Sequence, residues 1–502
     1  MTFPVVGLVV ATVLLVWFLY SRRKSNKNKN LKALPGPTGL PIIGNLLQIG
    51  KNPNEQFCKW AKQYGDIYQA KICQNLMVVV SNPKLCKEIF STDPAFAGRP
   101  QFGEFGIYED EFLGIINSEG DLWEVHRRFL LRQLRDFGFG KSAMETKIIE
   151  ELNEVLGKFK AQEGKPITKL RETLRLALVN SLWTILANQR FDQDDPQLLK
   201  LALNTSDTFN ELLEDGALIL FMPWVKYLIP EKSGYNAIRG VLEENKTFFA
   251  KVVAEHKRDL QEDNLRDFID VYLAEVRKAN EDANSHFHGT KAERQLVATL
   301  FDLFLAGSDT TATTLSWTML LLSKFPETQK KLQQEVDEIT GSSRKVSVDD
   351  RPNMPYMNAL LEEILRFSTI VPDGVAHRSM SDREFHGYHI PKGAIIQPNL
   401  YYIHFDPKIW GDPENFRPER FLSADGTKFK KNENMQAFQV GRRQCVGETL
   451  ARDTLFLYIT NIFQQFSTEL DASSKDHDLK VEVGFIRAPT DYSVIMKDRL
   501  NK

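Results

Sequence analysis

The segment Phe438-Gln439-Val440-Gly441-Arg442-Arg443-Gln444-Cys445-Val446-Gly447 constrains this chain more than any other. One cysteine sits between two glycines, two arginines precede it, and a helix-like run from Glu448 to Gln465 follows. A chain with this segment must bend a loop back onto the start of a helix and leave a sulfur at the bend. Backbone N–H groups of a glycine-bent loop can point at that sulfur. The positive end of the following helix favours an anion there, and a bound metal would deprotonate the thiol outright. Gly441 and Gly447 would let backbone approach a flat ligand closely. An isolated cysteine is more often a buried structural residue; the pattern around this one argues for a ligand.

The Phe-x-x-Gly-x-Arg-x-Cys-x-Gly pattern resembles the haem-binding loop of the cytochrome P-450 family. The resemblance implies that Cys445 is the axial ligand of a haem b iron, with Phe438, Gly441 and Gly447 shaping the loop around the cofactor. Gln439 departs from the family, in which many members have Ser or Gly. The resemblance covers nearly the whole chain, because further motifs follow in the family's order and spacing.

With 502 residues the chain can bury a substantial core, and a net charge of −2 gives no global field for nucleic acid. Four cysteines, Cys58, Cys73, Cys86 and Cys445, lack the C-x-x-C spacing of a zinc site and do not form a disulfide framework. A reducing compartment fits, and the sequons at Asn204 and Asn245 would then go unused.

From Pro4 to Tyr20 the chain is uncharged and almost wholly apolar, at the short end of a spanning helix. Trp17 and Tyr20 lie where an interfacial aromatic belt belongs, and Ser21-Arg22-Arg23-Lys24, then Lys27, Lys29 and Lys32, follow. The pattern predicts a transmembrane anchor over residues 1–21, retained because a basic n-region and a small-residue cleavage site are missing, with the rest facing the cytosol. Residues 22–41 read as a basic linker and a proline-rich hinge, Leu34-Pro35-Gly36-Pro37-Thr38-Gly39-Leu40-Pro41. Residues 42–502 form the catalytic domain, and the resemblance adds the endoplasmic reticulum as the membrane.

Within that domain, β-branched runs predict strands over Ile67–Ile72 and Leu76–Val80. Apolar residues at spacings of three and four predict helices from about residue 120 to 340, and short strands return after about 375. The fold class is therefore mainly α with small β-sheets, which matches the helical prism of the P-450 fold. The stretch from Thr205 to His256, broken at Pro223 and Pro230, is unusually apolar through Phe209, Leu212, Leu213, Leu218, Ile219, Leu220, Phe221 and Trp224. It reads either as ordinary core or as an access lid that touches membrane lipid, and the family places its substrate lid here.

A second site lies inside a long apolar helical run from about Lys291 to Phe325, at Ala306-Gly307-Ser308-Asp309-Thr310-Thr311. Buried Asp309 and Thr310 need partners, Gly307 weakens a helix by about 1 kcal/mol relative to Ala, and a Thr hydroxyl can bond the i−4 carbonyl and bend the helix. Such local rule-breaking marks functional sites; a tolerated polar patch is the plainer alternative. Gly307 would leave space beside the bend for a small ligand or water. The segment resembles the family's oxygen-activating kink, which implies that Thr310 bonds O₂ or the water beside it and that Asp309 relays protons, with Ala306 next to the cofactor.

Glu363 and Arg366 fall at i and i+3 on a helix over about Tyr356 to Phe367, a spacing that by itself reads as a surface pair. With Phe416-Arg417-Pro418-Glu419-Arg420-Phe421 they resemble the family's Glu-x-x-Arg motif and its partner arginine, Arg420, a structural lock. Trp123 and Arg127, at i and i+4 on a helix around 121–136, match the family's haem-propionate clamp, and Arg443 and His377 match its other positions. Arg127, Arg128, Arg132, Arg135 and Lys141 crowd one stretch, a solvated helix face or a docking face for an acidic redox partner.

No G-x-G-x-x-G fingerprint follows a strand, so electrons must come from another protein; the resemblance implies an NADPH-dependent flavoprotein reductase. The family layout implies a pocket lined by Phe96, Phe102, Phe105, Ala306, Asp309, Ile370, Val371 and Val375. The reading is a monooxygenase that hydroxylates or epoxidises a lipophilic xenobiotic, steroid or terpenoid. A haem-thiolate isomerase or dehydratase, and a non-enzymatic haem carrier or gas sensor, are the alternatives.

Overall fold

The computed structural model describes residues 31–50, 52–109, 111–138, 142–193, 195–214, 218–482 and 484–500. The anchor expected over 1–21, the start of the linker, and Lys141 lie outside them. Among the described residues no helix is long and apolar enough to cross a membrane.

The predicted helical stretch is present as Gly120–Asp136, Ser142–Ala161, Leu170–Ala187, Pro196–Glu214, Tyr235–Asp259, Phe268–Lys278, Gly289–Lys324 and Pro326–Ile339. The long helix Gly289–Lys324 has 36 residues, and at 1.5 Å per residue it runs roughly 54 Å through the molecule. Leu296, Phe301, Leu315 and Trp317 are buried around its circumference, as expected of a helix that is apolar on every side. Leu170–Ala187, Tyr235–Asp259, Pro355–Ser368 and Glu448–Gln465 pack around it into one hydrophobic core.

Beside this helical mass lies a four-stranded sheet. Strands Ile67–Ile72 and Asn75–Val80 form an antiparallel hairpin. The second of them pairs in parallel with Ile395–Pro398, which pairs antiparallel with His377–Arg378. Alternation puts Tyr68, Ala70, Met77 and Val79 on one buried face and Ile67, Val78 and Val80 on the other. Phe96 belongs to the second face, edge-on to Phe385 at 6.3 Å between ring centroids. Expected in the pocket, its side chain is instead part of the sheet's core. Two- and three-stranded sheets elsewhere complete a mainly helical fold with small sheets.

The Glu363–Arg366 pair is buried, with neither side chain exposed. Glu363 accepts from Arg366 Nε at 2.7 Å and Nη2 at 2.9 Å, from Arg420 Nε at 3.1 Å and from the Arg417 backbone N–H at 2.8 Å. Arg366 also donates to the carbonyls of His404 and Pro413 at 2.8 and 2.9 Å. Two distant segments are thereby clamped onto the helix Pro355–Ser368, the arrangement that makes a buried charge tolerable.

Candidate active site

The cysteine loop is anchored through backbone. Cys445 N–H donates to the Phe438 carbonyl at 3.1 Å and Arg442 N–H to the Phe90 carbonyl at 3.1 Å. Gly441 has φ +85°, and a Cβ there would lie 2.2 Å from the Phe90 oxygen. Only glycine fits, and one close approach it allows is to the helix Pro83–Thr92. Gly447 caps the helix Glu448–Gln465, and a Cβ on it would lie 3.9 Å from the Cys445 sulfur, an ordinary contact. The Cys445 side chain is open on one side, yet enough protein surrounds it that burial pushes its thiol up. The Gly447 N–H and Arg127 pull the other way, and Glu448 adds to the rise. The loop alone keeps a protonated thiol; a cation at the sulfur would reverse that.

Above the loop sits a cluster of cations. Two guanidinium groups lie close to the Trp123 ring, that of Arg443 3.8 Å and that of Arg127 5.7 Å from its centroid. Arg443 is buried and donates to the carbonyls of Ala97, Ile115 and Ser118 at 2.8, 3.2 and 2.6 Å. Arg127 donates to the Gln444 carbonyl, tying its helix to the cysteine loop. Arg99, which the sequence reading missed, completes the group: it is buried and donates to the carbonyls of Ile116, Val375 and Ala376 at 3.1, 3.0 and 2.7 Å. Carbonyl oxygens satisfy the N–H groups without neutralising the charge, and Asp302 near Arg99 and Glu119 near Arg443 offset it only in part. Burial and mutual repulsion accordingly pull Arg99 down to about 9 and Arg443 down to about 8.

His377 stands beside them, its Nδ1 on the Phe96 carbonyl at 2.8 Å. Burial, with help from Arg99, holds it neutral well below the ordinary histidine range. The Nε2 of His377 and the indole Nε1 of Trp123 are buried and have no protein partner. The four residues expected at the clamp are thus brought together around orphaned nitrogens and an excess of positive charge. Such a cradle calls for a dianion.

On the long helix, Ala306 is exposed and Thr310 half-buried, with the Thr310 hydroxyl donating to the Ala306 carbonyl at 2.8 Å. Thr314 and Thr318 repeat the bond to the i−4 carbonyl at 2.9 and 2.8 Å. Gly307 does not open the space expected of it, because a Cβ there would meet Leu182 Cδ2 at 2.8 Å. This glycine admits the packed helix Leu170–Ala187. Asp309 is buried and bound to Arg175, with Arg171 at 3.8 Å. Asp302, one turn before Ala306, accepts the N–H groups of Ile115 and Ile116 at 2.6 and 2.8 Å. Gln295 holds Gly114 through its N–H at 2.9 Å and its carbonyl at 3.1 Å. The 114–118 segment is therefore gripped by the long helix on its N–H groups and by Arg99 and Arg443 on its carbonyls.

Of the remaining pocket residues, Ile370, Val371 and Val375 are half-buried on one loop. Phe102 meets Phe221 edge-on at 5.8 Å. The side chains of Phe105, Phe209, Leu212, Leu213 and Leu218 lie outside the described ones. Trp224, Tyr227, Leu228 and Ile229 are exposed apolar residues of the Thr205–His256 stretch. That region is tied down by Lys226, which donates to Glu104 at 3.2 Å and Glu109 at 2.8 Å. Arg128, Arg132 and Arg135 are exposed on the helix Gly120–Asp136.

Arg99, Asp302 and Arg175 escaped the sequence reading. Arg99 lies in Ala97-Gly98-Arg99-Pro100, where turn signals surround a charge that looks solvated; the one hint for Asp302 was its place one turn before Ala306 in the apolar run.

A family model described as Cytochrome P450 matches residues 34–496. The chain is 33% identical over 507 residues to Cytochrome P450 18a1 of Drosophila melanogaster, covering 98% of this chain and 91% of the relative. It is 34% identical to Cytochrome P450 2J5 of Mus musculus, covering 97% and 95%, and 36% identical to Cytochrome P450 2C23 of Rattus norvegicus, covering 93% of each.

Proposed function

This chain belongs to the cytochrome P450 family, and from that premise we propose that it is a membrane-anchored monooxygenase inserting one oxygen atom of O₂ into a lipophilic small molecule. Substrate, O₂, two electrons and two protons give hydroxylated or epoxidised product and water. The observation that carries the reading is the pairing of a lone sulfur on the cysteine loop with the cationic cradle above it. Haem, held by the Cys445 thiolate, supplies the redox iron that activates O₂, with the thiolate donating electron density.

The residues present fit that group. The two haem carboxylates match the orphaned nitrogens of Trp123 and His377 and the charge on Arg99, Arg127 and Arg443. With its Nδ1 committed to Phe96, His377 donates through Nε2 only as an imidazolium, and a carboxylate there would raise its proton affinity. Cys445 loses its proton on ligation, and the Gly447 N–H and Arg127 stabilise the sulfur's charge.

Thr310 presents its hydroxyl on the face bearing Ala306, where it holds O₂ or a water by a hydrogen bond. Asp309 is the internal acid; in the observed arrangement its carboxylate is bound to Arg175, so it passes a proton only after leaving that guanidinium. Ile370, Val371, Val375 and Phe102 form the apolar wall, and Lys226 holds the lid over the site. The exposed Trp224, Tyr227, Leu228 and Ile229 suit a lid resting on lipid, consistent with an anchor at 1–21 in the endoplasmic reticulum membrane. The arginine face of Gly120–Asp136 suits an acidic NADPH-dependent flavoprotein reductase.

NADPH oxidation by the full-length protein with that reductase, across a panel of steroids, terpenoids and drugs, tests the assignment. Substrate-dependent consumption with oxygenated product supports it. Rearranged peroxide formed without NADPH identifies an isomerase instead, and haem binding with neither activity identifies a carrier.

A further inference from the structure

Gln439 adopts φ +57°, left-handed for a residue with a side chain, directly after Phe438, whose carbonyl holds the Cys445 N–H. Glycine would adopt that conformation more easily, so the side chain invites a reason. Its amide forms two bonds with one residue: the Val375 N–H donates to Oε1 at 3.2 Å, and Nε2 donates to the Val375 carbonyl at 3.1 Å. The side-chain amide thus pairs with Val375 as a neighbouring strand would. Gly374, at φ +59°, clears the way: a Cβ on it would lie 3.0 Å from Gln439 Nε2.

The segment held in this way is pocket wall on one side and cradle on the other, since Val375 is two residues before His377. Its upstream half is fixed independently, by Tyr401 N–H on the Pro372 carbonyl at 2.8 Å and by Gln397 on the Asp373 carbonyl. Its downstream half rests on Gln439 and on Arg99, which reaches the same Val375 carbonyl at 3.0 Å. Gln439 is the link between this half and the loop that carries the sulfur.

We propose that Gln439 is a positioning residue that sets the distance of the Val375 wall from the Cys445 loop, and with it the orientation of ligands over the iron. This rests on the monooxygenase reading for the identity of that iron; the clamp itself does not. The shorter side chains of Q439A and Q439G lack the amide and cannot reach Val375, and Q439G also relieves the left-handed backbone, so it keeps the test open should Q439A fold poorly. Q439E keeps the acceptor for the Val375 N–H and loses the donor.

The measurements are hydrogen exchange at the Val375 amide, and spectral titration of full-length, haem-loaded protein with imidazole and with 4-phenylimidazole. Imidazole reports on the iron alone, whereas the phenyl ring reports on the wall. The expected result is Val375 exchange about tenfold faster in Q439A and Q439G, as for the loss of one hydrogen bond. Affinity for 4-phenylimidazole should shift about fivefold or more while that for imidazole holds, again on the scale of one such bond, with Q439E closer to the parent in exchange. Unchanged exchange in both truncations overturns the proposal, as does an equal shift for both ligands. Loss of the ferrous–CO thiolate band in the variants alone also overturns it, because Gln439 would then act on the sulfur. A parent without that band sinks the monooxygenase reading instead, and Val375 exchange still decides the clamp.

Discussion

Arg175 donates to Asp309 across the contact between the helix Leu170–Ala187 and the long helix, and their side chains are 0% and 2% exposed. The acid next to Thr310 is therefore held in an ion pair inside the protein. Buried pairs are costly to break from one side, because the remaining charge is stranded. The Nε and Nη1 of Arg175 are already buried without a hydrogen-bond partner, so its bond to Asp309 is the one side-chain hydrogen bond of that guanidinium among the described residues.

Arg175→Met should destabilise the protein by about 3–5 kcal/mol. Thermal unfolding of the haem-loaded variant checks this. A melting temperature equal to the parent's would mean that Asp309 is satisfied elsewhere.

Thr310→Ala removes the hydroxyl one turn from Ala306 while leaving the helix a good helix former in its place. With reductase and a turned-over substrate, NADPH use should persist, product per NADPH should fall several-fold and peroxide should rise, in the range by which a positioned proton donor accelerates a step. Parallel assays of NADPH, product and peroxide decide it, and unchanged coupling would remove Thr310 from proton delivery.

Asp302 makes an unusual pH prediction. Burial pushes its carboxyl up to about 7 against the N–H groups of Ile116 and Ile115 and the charge of Arg99. An unfolded aspartate titrates near 4, so between about 4 and 7 the folded protein holds a proton that the unfolded chain releases. Stability from this group is full below that window, declines as pH rises through it and is level above it. Asp302→Asn keeps an acceptor for Ile115 and Ile116 and removes the titration. Its stability relative to the parent should rise by about 3 kcal/mol from pH 5 to pH 8; parallel stability curves would refute the protonated carboxyl.

Much of this was legible from periodicity. The strand over Ile67–Ile72 and the helix over Glu448–Gln465 have the predicted bounds, and the helix expected over Tyr356 to Phe367 is one residue longer at each end, at Pro355–Ser368. Local pattern is what fixes such elements. Three-dimensional partnership is not local: the spacing of Glu363 and Arg366 taken alone reads as a surface pair, and it is the resemblance, not the spacing, that supplies Arg420 from about fifty residues away, where the structure adds the Arg417 N–H. For the same reason Arg99, Asp302 and Arg175 look like solvated charges in sequence, since nothing nearby says that each will be buried against backbone or another charge. Glycines were legible as points of close approach but not in what approaches: Gly441 admits the Phe90 backbone, and Leu182 occupies the space expected beside Gly307. Phe96 lies on the short 3-10 turn Pro94–Ala97, and the packing of that turn against the sheet, which no local pattern announces, is what takes its side chain into the sheet's core.

The ferrous–CO difference spectrum of the haem-loaded protein, beside that of Cys445→His, tests the central claim most directly. The account predicts a strongly red-shifted band in the parent, and its loss in the variant even where haem is retained. A parent that binds haem without the band, or a variant that keeps it, would contradict ligation by Cys445.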